Sequence, residues 1–362
     1  MNHYKDIISH VVIDPRCKVN YASYYLYGLR ELLGGGKVKF ALLDYPIAGN
    51  EDYRKGFGML VKYNDGKEVK VFVDTNDPRS IYESFYDWAD VYAKINVLEE
   101  DLNIPKIFAI GPSFGVSVWN PIRSLFMGVI NYIKVLKSGD EYRIPFATYI
   151  KDYIYTFWRR LRYEIYRGGE FPESRNYVFA MSTLWYDDVS LRTVNRYRGE
   201  FIRVCQKLFP VFEGGLFYIP NVESIYPPYV RYKAEFKDVL MNRRVGMQEY
   251  LRGTQRSSIV FNTPSVCQCH GWKLAEYLSM GKVIISTPLS NAMPGEFRSG
   301  VHYLCCDSVE DMEHIIRDLQ ADDAKRRALK KSASEYFEAY LSPQAVTKRI
   351  LERAYLCRSC FD

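Results

Sequence analysis

The chain has 362 residues and a net charge of +6, with 48% hydrophobic and 25% charged residues. This composition is typical of a folded globular protein rather than a disordered one, and the length predicts two domains of comparable size. The positive charge suits small anionic ligands or an anionic membrane surface. It is too diffuse to indicate nucleic acid, and we expect no nucleic-acid partner.

The cysteines and the N-terminal sequence bear on location. Cys357 and Cys360 form one C-x-x-C without a second pair at zinc-finger spacing. Cys267, Cys269 and His270 share a loop, where a metal site is an alternative to the incidental clustering that we favour. The N-terminus lacks a signal-peptide layout, and no run of about 18 apolar residues occurs. We therefore expect a cytoplasmic protein with reduced thiols, and we expect no metal and no cofactor.

The first half of the chain alternates strand and helix patterns. Asn64–Gly66 indicates a hairpin, which adds antiparallel strands to a sheet that is otherwise mostly parallel. Alternation of this kind favours helices on both faces of the sheet. The predicted elements are a strand at 7–13, a helix at 21–33, strands at 38–43, 58–63 and 68–74, a helix at 78–92 and a strand at 106–110.

The second half restarts this alternation after two predicted helical pieces in 119–168 and a predicted hinge at 169–172. Its predicted elements are strands at 177–182, 258–261 and 283–286 and helices at 191–208, 272–280, 309–319, 324–340 and 343–354. We therefore predict an N-terminal domain over 1–170 and a C-terminal domain over 171–335. For the remaining C-terminal helix, 336–362, one alternative is that it crosses back to the N-terminal domain.

Residues 258–288 carry the most information about function. The apolar run 259–261 is typical of a parallel strand that is buried on both faces. A polar loop, 262–270, follows the carboxyl end of this strand, where open α/β sheets bind their ligands. Gly271 lets the backbone approach a ligand closely, and a helix then begins. The free N–H groups and the positive dipole end of that helix predict an anion site.

Lys273 and Glu276 lie three residues apart on one face of this predicted helix. The alternative to a ligand-binding role is an exposed salt bridge, which would contribute only about 0.2–0.5 kcal/mol, and Lys before Glu is the less favourable order. Because Gly271 and the polar loop lie directly before this pair, we favour the ligand-binding role.

The run Lys273-Leu-Ala-Glu276-Tyr-Leu-Ser-Met-Gly281-Lys-Val-Ile-Ile resembles the donor-binding motif of GT-B glycosyltransferases. The closest pattern is that of the family 4 group and the family 1-like relatives of bacterial surface-glycan synthesis, roughly Lys-Leu-x-Glu-Tyr-Met-Ala-x-Gly-Lys-Pro-Val-Val. The resemblance implies an α/β fold with two Rossmann-like domains facing across a cleft. It also implies that Glu276 holds the ribose hydroxyls of a nucleotide sugar, and that the amides of Gly271 and Trp272 meet the diphosphate or sugar.

A diphosphate donor needs cationic partners as well as amides. In GT-B enzymes basic residues near the first helix of the second domain often hold the diphosphate, which favours Arg198 and Asn195; the alternative is that both are solubilising residues on an exposed helix face. Thr183 ends the preceding strand and is a further candidate. The predicted donor-binding residues are thus Thr183, Asn195, Arg198, Asn262, Thr263, His270, Gly271, Trp272, Lys273 and Glu276.

Two candidate catalytic positions remain open. The family's Glu-x7-Glu pattern would place an acid at the position of Gln268, and an amide cannot stabilise a developing positive charge as a carboxylate would. Gln268 therefore also permits a catalytically inactive binding module. Asp14 ends the first strand and is a candidate general base if the reaction inverts configuration; the alternative is that it starts a turn with Pro15.

The sequence lacks the motifs of several other enzyme classes. There is no Asp-x-Asp, which favours a metal-independent GT-B enzyme over a GT-A enzyme, and no Gly-x-Gly-x-x-Gly opens the first helix. Gly111-Pro-Ser113-Phe-Gly115 formally matches the nucleophile elbow of serine hydrolases, which makes hydrolysis by Ser113 a weaker alternative. The predicted activity is transfer of a hexosyl or other sugar from a nucleotide sugar to a glycan, lipid-linked or protein acceptor.

Residues 149–167 combine aromatic residues with five basic ones. Such a helix can lie on an anionic membrane, which would place the protein peripherally on the inner face of the membrane. The alternative, which we favour, is that this helix packs between the two domains.

Overall fold

The computed structural model describes residues 4–47, 49, 52–139, 144–167, 169, 171–186 and 191–358. Cys360 and part of the predicted hinge lie outside these ranges. The chain divides into two compact units: unit 1 is Met1–Tyr163, Asn291–Glu296 and Glu338–Asp362, and unit 2 is Glu164–Ser290 and Phe297–Phe337. Both units are of the α/β type, so the predicted fold class is confirmed.

Unit 1 is built on a six-stranded sheet in the order β2-β1-β3-β4-β5-β6. Its strands are β1 (Ile8–Ile13), β2 (Val38–Phe40), β3 (Gly56–Tyr63), β4 (Glu68–Asp74), β5 (Val91–Lys94) and β6 (Ile107–Ala109). Its helices are α1 (Tyr4–Ile7), α2 (Val19–Leu33), α3 (Glu83–Trp88), α4 (Pro121–Val135), α5 (Phe146–Trp158) and, from the C-terminal segment, α13 (Pro343–Arg358).

The predicted hairpin is confirmed, because β3 pairs antiparallel with β4. β3 also pairs antiparallel with β1, and the remaining pairs of this sheet are parallel. A buried ion pair joins the carboxyl ends of β4 and β5, where Lys94 Nζ lies 2.7 Å from Asp74 Oδ2. Tyr92 donates a hydrogen bond to the same carboxylate oxygen, so that the buried charge of Asp74 is paired and hydrogen-bonded in the absence of water.

Unit 2 contains two three-stranded parallel sheets, β7-β8-β9 and β10-β11-β12. The strands are β7 (Tyr177–Thr183), β8 (Val211–Phe217), β9 (Leu240–Met241), β10 (Val260–Asn262), β11 (Ile284–Ser286) and β12 (Leu304–Cys305). The helices are α6 (Tyr163–Arg167), which begins on the last residue of unit 1, α7 (Arg196–Leu208), α8 (Tyr229–Glu235), α9 (Met247–Arg256), α10 (Trp272–Ser279), α11 (Met312–Ala321) and α12 (Asp323–Tyr336).

The two sheets of unit 2 lie side by side, because the N–H of Ser258, just before β10, donates to the carbonyl of Tyr177 on β7. Read across both sheets, the strands follow the order third, second, first, fourth, fifth, sixth. That is the strand order of a dinucleotide-binding Rossmann fold, whose ligand crevice lies where the order reverses. In this unit the reversal falls between β7 and β10.

The core of unit 2 forms because apolar residues of α7 cover the strands. Phe201 stacks on Phe261 with ring centroids 4.8 Å apart, and Val178 and Ile285 belong to the same buried cluster. The fully buried strands β10 and β11 continue apolar runs, as parallel strands with helices on both faces do. The carboxyl ends of β7 and β10 are thereby fixed relative to each other.

Two of the predicted elements are wrong. The helix at 78–92 is only the six residues of α3, followed by β5, because a short strand buried on both faces shows no period that separates it from a helix. Residues 119–168 form three helices instead of two, and the proposed amphipathic helix at 149–167 is interrupted between Trp158 and Tyr163. In the described ranges, every helix is too short or too polar to cross a bilayer.

Close packing of α13 on α2 depends on Gly28, and it generates a first prediction. A Cβ added at Gly28 would overlap the Thr347 hydroxyl and the Pro343 carbonyl. We expect Gly28→Ala to lower the free energy of unfolding by about 1–2 kcal/mol, because overpacking outweighs the gain in helix propensity. Urea denaturation measures this. Gly36→Ala, which has open space around it, is the control; equal stability of both variants would contradict the packing.

Candidate functional site

A pocket of about 280 Å³ opens at the carboxyl end of β7, where the strand order reverses. Its volume lies near the lower bound of the roughly 300–1,000 Å³ typical of small-molecule sites. Residues from β7, the start of α9, the loop before α9 and the start of α10 line it: Met181, Ser182, Thr183, Arg244, Val245, Met247, Tyr250, Trp272, Lys273 and Glu276. The four predicted residues among them are Thr183, Trp272, Lys273 and Glu276.

The start of α10 is shaped by Gly271, which is its N-cap residue with φ −69° and ψ 163°. No side chain caps this helix end, and a Cβ at Gly271 would meet only Ser265, at 3.8 Å. The helix is held from below by Leu274 and Leu278, which are fully buried. The positive dipole end of α10 therefore lies at the pocket, where it favours an anion.

Glu276 lies on α10 with its carboxylate buried. Tyr250 of α9 donates a hydrogen bond of 2.9 Å to Glu276 Oε2. This bond fixes the orientation of the carboxylate at the wall of the pocket. A carboxylate has two oxygens and about four acceptor positions, and Tyr250 occupies one of them.

Lys273 points from α10 to the end of β7. Its Nζ donates to Ser182 Oγ at 2.9 Å and to the carbonyl of Met181. Burial, and then the charge of Arg198, lower the pKa of Lys273 to about 7, against the opposing charge of Glu276. The ammonium is therefore held in a place where an added anion would stabilise it.

Arg198 of α7 does not line the pocket but lies behind it. Its guanidinium donates to the Thr183 carbonyl at 3.1 Å and to Thr263 Oγ1 at 2.9 Å. Burial lowers the pKa of Arg198 to about 10, so it stays charged at neutral pH. Arg198 thus ties β7 to the residue after β10 and adds positive charge to the site.

Three other predicted donor residues make internal contacts. The amide of Asn195 is buried and exchanges hydrogen bonds with the main chain of Trp185, at 3.1 and 2.8 Å. Asn262 donates to Ser286 Oγ at 2.9 Å. His270 is buried. None of these three belongs to the pocket lining described above, and the contacts of Asn195 and Asn262 hold the segments around it.

Gln268 lies in a tight turn between β10 and α10. Both Cys267 and Gln268 have positive φ, of 55° and 54°, a conformation that costs a non-glycine residue of the order of 1–2 kcal/mol. Hydrogen bonds between Ser265 and Cys269 and between Gln268 and Ser265 close the turn. The Gln268 side chain accepts from Ser290 Oγ at 3.3 Å, and it does not line the pocket.

Asp14 belongs to unit 1 and is fully buried. Its carboxylate accepts two bonds from the Arg16 guanidinium, at 2.9 and 2.8 Å, and one each from the backbone N–H groups of Arg16 and Leu43. Four donors occupy the acceptor positions of this carboxylate. This environment suits the turn-forming alternative and does not suit a general base.

Ser113 does not sit on a nucleophile elbow. Such an elbow needs a sharp turn from a strand directly into a helix, whereas residues 110–120 after β6 form no helix. Ser113 is buried and accepts a hydrogen bond of 3.3 Å from Tyr25. The geometry required of a hydrolytic serine is therefore missing.

Six lining residues were not predicted: Met181, Ser182, Arg244, Val245, Met247 and Tyr250. Four of them follow β9, which has only two residues and gives no readable strand pattern. The signal that could have located them is the pair Arg243-Arg244 directly before an amphipathic helix. Arg243 pairs with Glu249, and Arg244 is exposed at the pocket.

A larger depression, of about 420 Å³, lies elsewhere on unit 2. Its charges are paired with one another, as in the ion pairs of Arg196 with Glu310 and of Arg203 with Glu200. Four of its lining residues are glutamates, which disfavours a phosphate ligand. Within the portion of the chain that is described, no three His, Cys, Asp or Glu side chains are grouped to hold a metal ion.

The comparisons with known proteins bear on this same half of the chain. Residues 215–352 match the model of the family described as glycosyl transferase-like. The match includes Glu276, Lys273 and the loop before α10, so the resemblance to GT-B glycosyltransferases noted in residues 258–288 is confirmed over this region. No curated protein matches the sequence.

Solved structures are similar only at low identity. The HepE protein of Anabaena, crystallised with UDP, is 11% identical with a TM-score of 0.41, over 74% of this chain and 64% of its own. Sucrose-phosphate synthase from Thermosynechococcus elongatus is 14% identical with a TM-score of 0.39, over 75% and 59%. A glycosyltransferase from Rickettsia africae is 10% identical with a TM-score of 0.40, over 77% and 68%. This chain therefore spans less than two thirds of the first two proteins.

The lowered pKa of Lys273 can be tested without any ligand. Amines react with acetic anhydride only when neutral, so Lys273 of the folded protein is expected to reach half-maximal modification near pH 7. At pH 8 it should react at least about tenfold faster than the same lysine in the urea-unfolded chain, where the ordinary pKa of about 10.4 applies. Peptide mass spectrometry measures both rates. Equal rates in the folded and unfolded chains would show that Lys273 is solvated.

Proposed function

We propose that this protein is a GT-B glycosyltransferase that moves a sugar, hexosyl or other, from a nucleoside diphosphate sugar to a glycan, lipid-linked or protein acceptor. The observation that carries the proposal is the pocket at the strand-order reversal of unit 2, which combines Glu276, Lys273 and the uncapped start of α10. A carboxylate beside a cation and a helix N-terminus suits a ribose joined to a diphosphate.

In this proposal the nucleoside end lies towards α9. Glu276 accepts from the ribose hydroxyls, and Tyr250 acts as a positioning residue because it holds one oxygen of that carboxylate. Val245 and Met247 offer apolar contact to the nucleobase. The distribution of charge in the pocket supports this orientation of the nucleotide sugar, because the positively charged side chains and the start of α10 lie on the side of Lys273.

The diphosphate end is proposed to lie between Lys273, Arg244 and the N–H groups of Gly271 and Trp272. During transfer the bond from the anomeric carbon to the β-phosphate oxygen breaks, and a bond to an acceptor oxygen forms as that oxygen loses its proton. Negative charge then develops on the departing diphosphate. Preorganised cations and helix N–H groups stabilise that charge without a metal ion.

A second candidate is a protein with this same pocket that binds a nucleotide sugar without transferring it. The observation favouring it is Gln268, which replaces the acid of the related pattern and lies in a strained turn outside the pocket lining. Incubation with a panel of nucleotide sugars separates the two candidates, because only the enzyme releases the nucleoside diphosphate.

We also propose that the protein works in the cytoplasm. The seven described cysteines are all free, and four of them are buried. Free thiols in this number suit a reducing compartment, where disulfides are rare.

Substitution of Glu276 tests the ribose contact. We expect Glu276→Ala to weaken binding of the nucleoside diphosphate by about 10- to 100-fold, because hydrogen bonds to a charged group contribute about 1.5–3 kcal/mol. Alanine keeps the helix propensity of α10 high, so the variant should fold. Isothermal calorimetry with UDP, GDP and ADP measures the change.

Glu335→Ala is the matched control, since it makes the same change on an exposed helical position of α12. It should bind like the wild type. Unchanged affinity in a folded Glu276→Ala protein would remove the ribose assignment, and loss of its fold would indicate a purely structural role for the carboxylate.

Metal dependence is a separate test. The sequence lacks Asp-x-Asp, and amides and basic side chains are proposed to neutralise the diphosphate. We therefore expect release of nucleoside diphosphate from nucleotide sugars to continue in EDTA. Loss of turnover in EDTA that manganese or magnesium restores would overturn this expectation.

A further inference from the structure

Helix α4 presents its large apolar side chains to solvent. Ile122 is 84% exposed, Phe126 61% and Leu136, directly after the helix, 65%. With Val129 and Ile133 they repeat at intervals of three and four residues, which places them on one side of a helix. We refer to this stripe, Ile122, Phe126, Val129, Ile133 and Leu136, as the α4 outer face.

The buried side of α4 is smaller and more polar than its outer face. It consists of Ser124, Gly128, Asn131 and Val135. A Cβ at Gly128 would contact Tyr153 of α5 at 3.1 Å, and Asn131 donates to the Tyr153 hydroxyl at 2.9 Å. This distribution is the reverse of an ordinary surface helix, whose apolar stripe faces the core.

Helix α5 extends the apolar surface. Tyr132 of α4 contacts Phe146 at the start of α5, with ring centroids 5.0 Å apart, whereas Gly128 approaches Tyr153 farther along. The two helices therefore run antiparallel, and Trp158 at the end of α5 lies towards the end of α4 that holds Ile122. Trp158 is 77% exposed.

Basic side chains border this apolar surface. Arg123, Lys137, Lys151, Arg159 and Arg162 are all exposed. From residue 121 to 137 there is no acidic residue, and from 146 to 162 the only one is Asp152, which is buried. An apolar centre with a cationic border complements the acyl chains and headgroups of an anionic bilayer.

We propose that the α4 outer face, together with Trp158, docks on the surface of an anionic phospholipid bilayer. With 15 residues, α4 is shorter than the roughly 20 residues needed to span the hydrocarbon layer, so it lies in the interface. A second copy of the chain fits less well, because a symmetric pair would bring the two cationic borders together. The docking surface belongs to unit 1 and does not depend on the proposed donor site in unit 2.

Vesicle co-sedimentation tests the proposal. The full chain should pellet with vesicles of phosphatidylcholine and phosphatidylglycerol, and far less with vesicles of phosphatidylcholine alone. Salt at 0.5 M should release it, because screening weakens the attraction between surface charges; the Debye length falls to about 3 Å at 1 M. Ile122→Ser should weaken partitioning by at least about tenfold, as expected for an isoleucine lost from an apolar contact.

Ile225→Ser is the matched control, since Ile225 is 81% exposed in unit 2. It should partition like the wild type. Recovery of the wild-type protein in the supernatant with both vesicles, or equal losses in the two variants, would overturn the proposal. So would a concentration-dependent dimer, detected by sedimentation velocity, that Ile122→Ser abolishes without any vesicle binding.

Depth of insertion provides a second readout. Vesicles with brominated acyl chains should quench part of the tryptophan fluorescence, and that part should be missing in Trp158→Phe. Because Trp158 is so exposed, the variant should fold normally. Equal quenching in Trp158→Phe and the wild type would contradict insertion at the end of α5.

Discussion

The carbonyl groups at the end of β7 hold two cations that belong to different helices. Lys273 of α10 donates to the Met181 carbonyl, and Arg198 of α7 donates to that of Thr183. Both helices are thereby fixed to the strand where the sheet order reverses. The two positive charges lie close enough that Arg198 lowers the pKa of Lys273. Burying like charges together costs free energy, and an anion in the pocket would relieve that cost. This charge arrangement supports the proposed anionic ligand.

Binding and folding are linked through this charge pair. In the empty site Lys273 has a pKa of about 7, well below its ordinary value, so its charged form is disfavoured in the folded chain. A bound diphosphate favours the ammonium and raises that pKa. Ligand binding should then take up protons above about pH 7, where an isolated phosphate group has already lost its second proton, at about pH 6. In the proposed function, the charges that destabilise the ligand-free protein contribute to the affinity for the ligand.

Much of the site could be predicted from one segment, residues 258–288, because a buried strand, a polar loop and a helix start leave local signatures. Glu276, Lys273 and the N-cap Gly271 follow from it. Tyr250 and Arg244 leave a weaker signal in the sequence, since they follow a two-residue strand whose existence depends on pairing with β8. The surface of α4 illustrates the opposite limit. Its apolar period predicts a helix, but only the packing of Gly128 and Asn131 shows that the large apolar side chains face outward.

The most direct test of the central claim is thermal unfolding of the full chain with nucleoside diphosphates and with the matching nucleosides. The claim is that charge at the strand-order reversal selects a phosphorylated ligand. It predicts that at least one of UDP, GDP and ADP stabilises the protein, by about 2.7 kcal/mol at 100 times its dissociation constant. The corresponding nucleoside should stabilise far less, because Lys273 and Arg198 would remain without an anion. Equal stabilisation by nucleoside and diphosphate, or none by any diphosphate at millimolar concentration, would contradict the claim.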